Sequence, residues 1–571
     1  MRPFCGCAKV RRVTDTAATG PASNATAASS PADWLSDAVF YEIYPQSFAD
    51  SNGDGIGDML GVLAHLDHLE WLGVNTIWFN PCFASPFVDA GYDVADYLTV
   101  APRYGTNEDL VAVIDASRER GIRVVLDLVA GHTSVEHEWF QAELHAAGPD
   151  PLGDRYVWSE VASAQQNSEG APGETPWVPS PGPRPGYYLK NFYDAQPALN
   201  FGYARLVDDE PWRQGVDAPG PARNRQALRD IMAFWLDRGV AGFRVDMAFS
   251  LVKDDPGYVE TTELWRDLRG WLDLEYPSAV IIPEGVEPHS DFAPAFHGDF
   301  QLVIFPAHAA LFNNGGAGRL YLVPPGPCFF DAEGLGSTKA FLDILSSQQV
   351  ARPGRPILLA SADHDFSRLA CGTRTEEQLG AAFTFLLTWG TVPSIYYGDE
   401  IGQRYQPGLP NVEGSEIYPD YYNRAGCRTP MQWDDSVNAG FSTAPADALY
   451  LPIDPAADRP TVAEQLAHPD SVLHLVRDLI ALRSAHPALG ARTSTRVVNA
   501  GYPFVYLRDD TYLVVVNPRR AHATFDLTDS ELVGGEPGVG SEDLLSHGVE
   551  LNSDRLEAAG FGYGVFRLAT R

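Results

Sequence analysis

Eight short apolar runs, rich in β-branched and aromatic residues, recur along this chain with helix-length stretches between them. They are AVFYEIYPQSF from Ala38, NTIWFNP from Asn75, IRVVLDLV from Ile122, GFRVDMA from Gly242, AVIIPEG from Ala279, FQLVIFP from Phe300, RPILLASADHD from Arg355 and TVPSIYYGDE from Thr391. Strands alternating with helices imply a parallel sheet with crossover connections. Eight such strands close into a (β/α)8 barrel, in which functional side chains gather at the C-terminal strand ends.

The polar residues fall where that geometry places function. Asp127 and His132 follow the third run, Asp246 the fourth, Glu284 the fifth and Asp365 the seventh. Within GFRVDMA, Arg244 and Asp246 are two apart and so share a strand face, with Phe243 and Val245 turned to apolar packing. A guanidinium beside Asp246 is expected to keep it ionised, and the apolar approach of Ile281, Ile282 and Pro283 is expected to raise the pKa of Glu284.

Composition narrows the ligands. A chain of 571 residues exceeds one ordinary core and predicts a large domain with a smaller partner. A net charge of −34 argues against nucleic acid or an anionic membrane as a partner, since Lys and Arg must dominate such contact faces. No apolar stretch reaches the length of a membrane span. The basic residues Lys9, Arg11 and Arg12 are not followed by the continuous apolar stretch of a secretory signal. Six cysteines, at 5, 7, 82, 328, 371 and 427, show no repeated spacing, which with the absence of a signal predicts a reduced, cytoplasmic protein.

The expected organisation is a disordered tail over residues 1–32, a first part of the barrel over 33–132, an inserted domain over 133–200, the rest of the barrel over 201–489 and a C-terminal antiparallel β-sandwich over 490–571. The insert is marked by loss of alternation in favour of Pro, Gly and aromatics, as in GPRPGYYLKNFYDAQPALN. The C-terminal unit is marked by short alternating runs such as TYLVVVNP and GYGVFRLA after the amphipathic stretch Ser471–Leu489.

Taken together, AVFYEIYPQSFADSNGDGIGD, SPFVDAGYDVADY, DLVAGHTS, QPALN, GFRVDMA, PEG, DHD and RTPMQWD resemble the α-amylase superfamily, glycoside hydrolase family 13. The likeness runs from about Trp34 to the end of the chain, and within the superfamily it is to the α-glucosidase, oligo-1,6-glucosidase and trehalose synthase group. It implies Asp246 as nucleophile, Glu284 as general acid/base and Asp365 as stabiliser of the flattening sugar ring, in a retaining double displacement. It further implies a first sugar pocket floored by Tyr92 and Asp93, hydroxyl-binding imidazoles at His132 and His364, Arg244 beside the nucleophile, and a second sugar site lined by Arg368 and Arg428.

The loop Asp50 to Asp58 carries hard oxygen ligands at alternating positions, as Ca²⁺ prefers. The resemblance implies a structural Ca²⁺ or Mg²⁺ held by Asp50, Asn52, Asp54, the Ile56 carbonyl and Asp58. Gly131 stands where many relatives carry a second calcium ligand, so that other site is expected to be absent, as is any organic cofactor. Three positions depart from the family pattern: Asp363 replaces the Asn of NHD, Met247 follows the nucleophile, and Ala198 replaces the Asp of QPDLN.

The leading expectation is an exo-acting α-glucosidase that hydrolyses or transfers glucose from short α-glucosides, with a small oligosaccharide as its partner. The alternative is a trehalose synthase-type isomerase converting maltose to trehalose, and a remote one is a non-catalytic, transporter-associated binding subunit. Linkage preference and oligomeric state stay open.

Overall fold

In the computed structural model, which describes residues 32–569 except 147, 151, 163–175, 285–294, 302–305, 313–326, 352–353, 373, 419–421, 528–540 and 553–554, the eight runs form eight parallel strands. These are β1 (Phe40–Ile43), β2 (Thr76–Phe79), β3 (Arg123–Val129), β4 (Gly242–Asp246), β5 (Val280–Pro283), β6 (Asp299–Gln301), β7 (Ile357–Ala360) and β8 (Val392–Tyr396). The hydrogen-bonded order is β5-β4-β3-β2-β1-β8-β7-β6, so the barrel is continuous except between β5 and β6. At that seam His297 stands in for a strand: its backbone N–H donates to the Ile281 carbonyl at 3.0 Å and its Nδ1 accepts from the Ile281 N–H at 3.0 Å. The expected tail over residues 1–32 lies outside the described residues but for its last, as do Cys5 and Cys7.

The strands are mostly apolar because both of their faces are covered, as parallel sheets require, with Glu42, Asp127, Arg244, Asp246 and Asp299 as the charged exceptions among those buried in them. Crossover helices start and stop on local chemistry. The helix α1 (Asn107–Glu119) opens with a reciprocal capping box between Thr106 and Asp109. Longer crossovers, α2 (Pro219–Leu236) and α3 (Val259–Glu275), bury Trp235 and Trp265 completely, each such side chain contributing about 2–3 kcal/mol of apolar burial. At the start of β4, Gly242 permits close strand approach, since a Cβ there would lie 2.2 Å from the Val280 carbonyl oxygen.

After β3 the chain leaves the barrel for a small lobe containing a three-stranded antiparallel sheet, Trp158–Ser159, Tyr187–Leu189 and Trp177–Pro179. Ala198 is fully buried there among Val157, Trp177, Leu189 and Tyr203, where the family's Asp would bring an acid into an apolar cluster.

Beyond the barrel, β9 (Thr495–Asn499), β10 (Phe504–Arg508), β11 (Tyr512–Val516), β12 (Ala523–Asp526), β13 (Glu542–Leu551) and β14 (Arg555–Arg567) form one six-stranded antiparallel sheet. Its two apolar faces serve different purposes. Val505, Leu507, Leu513, Val515, Leu556 and Phe566 belong to a core of the sheet's own, whereas Phe504, Tyr506, Val514, Val516 and Val565 join the barrel core. Between sheet and barrel lies α4 (Glu376–Thr388), buried at every residue from Gln378 to Thr388. Gly380 allows this packing, for a Cβ there would meet the Tyr563 ring at 2.4 Å. Among the described residues no helix is long and apolar enough to cross a membrane, and the four described cysteines, Cys82, Cys328, Cys371 and Cys427, are buried.

Candidate active site

The register of β3, β4 and β5 builds the centre of the site. Asp127 and Arg244 are directly opposed across β3 and β4, and Arg244 faces Ile282 across β4 and β5. From this position the guanidinium serves three acids. Its Nη1 donates to both oxygens of Asp127 at 2.9 and 3.0 Å and to Asp246 Oδ1 at 3.2 Å, while Nη2 pairs with Glu284 Oε1 at 2.7 Å. Glu284 Oε2 accepts from the Met247 N–H at 2.9 Å. That donor is aimed by a left-handed backbone at Met247, φ 41°, a conformation that costs a residue with a Cβ about 1–2 kcal/mol.

This geometry corrects one expectation. Arg244 does not keep Asp246 ionised by itself, because it is shared among three carboxyls. Burial and the Glu284 carboxylate push Asp246 well above the ordinary carboxylate range, with Arg244 pulling the other way. Glu284 meets Arg244 and the Met247 amide through its two oxygens. Burial and the neighbouring carboxyls Glu284 and Asp127 therefore oppose a negative charge at Asp246. Asp127 behind them is also lifted, to about 6, by burial against the opposing pull of Arg244.

The opposite wall is built from the loop after β7. His364 Nδ1 lies 2.8 Å from Glu42 Oε1 and its Nε2 lies 3.2 Å from Asp365 Oδ2. Burial alone would discharge this imidazole, but Asp365 and Glu42 on either side raise it to about 10. Asp365 Oδ1 also receives Arg424 Nη1 at 2.9 Å and Arg428 Nη2 at 3.1 Å. Burial opposes ionisation of Asp365, yet these three cations hold it well below its usual range. Tyr92 joins the walls: its hydroxyl donates to Asp127 Oδ2 at 3.0 Å, lies 2.7 Å from His364 Nε2, and its ring runs parallel to the imidazole at 5.4 Å between centroids.

Of the residues singled out in the sequence, Asp246, Glu284, Asp365, Arg244, Tyr92, His364 and Arg428 are brought together. Arg428 is completely buried beside Asp365, its Nε donating to the His364 carbonyl at 2.8 Å and its Nη2 to Asp365 Oδ1 at 3.1 Å. Three others sit apart. Asp93 turns inward, accepting from Ser85 Oγ, the Val88 N–H and the Asp89 N–H; it organises its own loop, and burial lifts it to about 6. His132 commits both ring nitrogens, Nε2 to the Tyr92 carbonyl at 3.0 Å and Nδ1 to Asn191 Nδ2 at 3.0 Å. Burial lowers it to about 4, so it is a neutral clamp between barrel and lobe. Arg368 is buried against the Tyr397 carbonyl at 2.6 Å, with Asp399 at 3.6 Å, away from the three acids.

Two residues were missed. Asp89 binds Arg424 Nη2 at 2.9 Å through Oδ1 and Gln196 Nε2 at 2.9 Å through Oδ2. Arg424 thus bridges Asp89 and Asp365, with the Gly414 carbonyl accepting from it at 2.7 Å. The loop SPFVDAGYDVADY contains Asp89, Asp93 and Asp96, and only the folded turn decides which one faces Arg424.

The Asp50–Asp58 loop suits a hard cation in its donor types, but its oxygens are engaged internally. Asp50 accepts from the N–H groups of Asn52, Gly53 and Gly55 and from Ser442 Oγ, while Asp58 accepts from Ser51 and caps a helix through the Gly61 N–H. Asn52 and Asp54 accept from the N–H groups of Asp54 and Ile56. Among the described residues no group of three His, Cys, Asp or Glu side chains is placed to hold a metal ion.

Comparison with known proteins agrees with the barrel. Residues 42–267 and 339–491 match the family model of the alpha-amylase catalytic domain. The chain belongs to the alpha-amylase family. Within the family, a trehalose synthase/amylase of Mycolicibacterium smegmatis is 33% identical over 517 residues, 84% of this chain and 81% of its own length. A probable alpha-glucosidase of Rhizobium meliloti is 32% identical over 579 residues, covering 94% and 97%. Among solved structures, the trehalulose synthase of Pseudomonas mesoacidophila MX-45 superposes with a TM-score of 0.74 at 26% identity, over 94% of this chain and 99% of that one. This alpha-amylase family protein is therefore an enzyme of the glycosidase type, from the glucosidase and trehalose synthase branch.

Proposed function

We propose that the protein is a retaining enzyme of short α-glucosides that cleaves a terminal glucosyl unit and rejoins it within the pocket, as in conversion of maltose to trehalose. The observation that carries the retaining step is the shared guanidinium: Asp246 and Glu284 lie 3.2 and 2.7 Å from the two terminal nitrogens of Arg244. The two carboxyls also contact each other, which suits the close pair of a retaining enzyme, about 5 Å, whereas an inverting pair stands roughly 6.5–9.5 Å apart to admit water. In this mechanism Glu284 is the general acid, whose proton passes to the leaving oxygen as the glycosidic bond breaks. Asp246, left ionised beside Arg244, attacks the anomeric carbon. Asp365, kept anionic by three cations, holds the sugar hydroxyls as positive charge develops on the ring.

Rejoining over hydrolysis is supported by the relatives of Mycolicibacterium smegmatis and Pimelobacter, both named trehalose synthase and 33% and 32% identical to this chain. It is also supported by the Asp89–Arg424–Asp365 bridge, which ties two loops together across the stabiliser and favours retention of a cleaved glucose. The test is incubation with maltose: trehalose should accumulate ahead of glucose. Glucose as the sole product would assign the enzyme instead to the exo-α-glucosidases, a reading favoured by the Rhizobium meliloti relative.

We also propose a structural cation for the Asp50–Asp58 loop, held by Asp50, Asn52, Asp54, the Ile56 carbonyl and Asp58 once their internal bonds rearrange. The cation takes no part in bond cleavage. Removing divalent ions with a chelator should then lower Tm and calcium should restore it, while an unchanged Tm would leave the loop as a self-bonded turn.

A further inference from the structure

Asp363 is buried and engages only one of its oxygens in backbone bonds: Oδ1 accepts from the N–H groups of Asp365 and Phe366, each at 3.0 Å. This is the bonding an asparagine carbonyl would make, and it leaves Oδ2 where an amide NH2 would stand. Glu42 on β1 is fully buried nearby. Its Oε1 takes His364 Nδ1 and, at 3.1 Å, Asn80 Nδ2, yet its Oε2 has no hydrogen-bond partner among the described residues. A fully buried carboxylate oxygen without a donor is costly.

We propose that Asp363 is a positioning residue that carries a proton and donates it to the unpartnered oxygen of Glu42, so holding the Glu42–His364–Asp365 relay that fixes the stabilising acid. This deepens the retaining mechanism proposed above and rests on it. The titratable groups facing Asp363 are Glu42 from β1, His364 and Asp365 from its own loop, and the Cys427 thiol from the turn before Arg428. Burial, Glu42 and Asp365 all oppose ionisation of Asp363 and bring it to about 8, against the pull of His364. Below that pH the proton supplies the missing donor. Above it, a third buried anion would stand beside Glu42 and Asp365 with the same cations to serve them. Substitution of the usual Asn by Asp thus replaces a permanent donor by one that can be lost, and the sensitive side of the pH profile is alkaline, not acidic.

The experiment compares the wild type with Asp363→Asn, in which the donor cannot be lost. Since the native pKa is raised, the native state binds more protons than the unfolded chain between about pH 4 and 8, and stability from this group is lost as pH rises through about 8. Wild-type Tm should therefore fall behind that of the variant by several degrees between pH 6 and 9. The wild-type kcat should drop relative to the variant over the same range with KM little changed. A Tm difference that does not vary with pH would overturn the proton, whatever the activity. A widening Tm gap with a constant kcat ratio would overturn the positioning role. If neither protein turns over maltose or any other α-glucoside, the proposed function fails, while the Tm comparison still decides whether Asp363 holds the proton.

Discussion

Two walls of the site solve opposite electrostatic problems with the same residue types. Around Arg244, three carboxyls, Asp127, Asp246 and Glu284, share a single cation. Around Asp365, one carboxylate is surrounded by three cations, His364, Arg424 and Arg428. The first wall is short of positive charge, which opposes ionisation of Asp246 and Asp127 and suits the proposed general acid beside them. The second balances three cations against Asp365, Glu42 and Asp89, but all three cations meet at Asp365 and hold it charged, as suits the proposed stabiliser of an oxocarbenium-like state. The ratio of cations to acids separates the roles more clearly than the identity of any one acid.

The largest effect expected on the first wall comes from Asp246→Ala. Loss of the nucleophile should lower kcat on the order of 10⁴–10⁶-fold, with an unchanged circular-dichroism spectrum. Turnover that survived would move the nucleophile elsewhere and break the comparison. Next, Glu284→Gln should cost roughly 10²–10⁴-fold with a sugar leaving group and far less with an aryl glucoside whose leaving group needs no proton. Equal losses on both substrates would contradict a proton-donor role.

On the second wall, Arg424→Met leaves Asp89 and Asp365 each one partner short, a change of about 3–5 kcal/mol for a broken buried pair. Because the native pKa of Asp365 is depressed, its stabilisation is present above the ordinary carboxylate value of about 4 and is lost as pH falls through the native value. The variant should melt lower at neutral pH, and the acidic limb of its kcat/KM profile should move to higher pH. A limb that stayed in place would show that Arg428 and His364 suffice.

The smallest effect on catalysis is expected from Arg368→Leu, since this pair lies outside both walls. Its Asp399, brought to about 7 by burial against the pull of Arg368, would keep Ser361 Oγ as a donor at 2.7 Å but lose its cation, at about 1–3 kcal/mol when it must ionise. Tm should therefore fall more at pH 8 than at pH 6 with kcat/KM unchanged. A rise in KM would return Arg368 to the substrate.

Much of this architecture was legible in the sequence because it is written in local period. Each barrel strand is a mostly apolar run, and Asp246, Glu284 and Asp365 sit at or just beyond the ends of β4, β5 and β7, so that they could be named from spacing and resemblance. Arg424 could not be, as its partners are 59 and 335 residues away along the chain. Asp93 and Asp89 were indistinguishable for another reason: both are acids in one tight loop, and the choice depends on which of them the turn's own N–H groups capture. The partners of Glu284 were not legible either, because the flanking residues of a strand say little about its end: the Glu284 carboxyl meets Arg244 and the Met247 N–H across the sheet.

The helix α4 has no polar side, for it lies wedged between the barrel and a sheet encoded more than a hundred residues later. During synthesis its second cover therefore does not yet exist when the helix leaves the ribosome. Completion of the catalytic half must wait for the final strands, and any break near Phe504 or Tyr563 would be felt as insolubility long before it could be measured as a change in turnover.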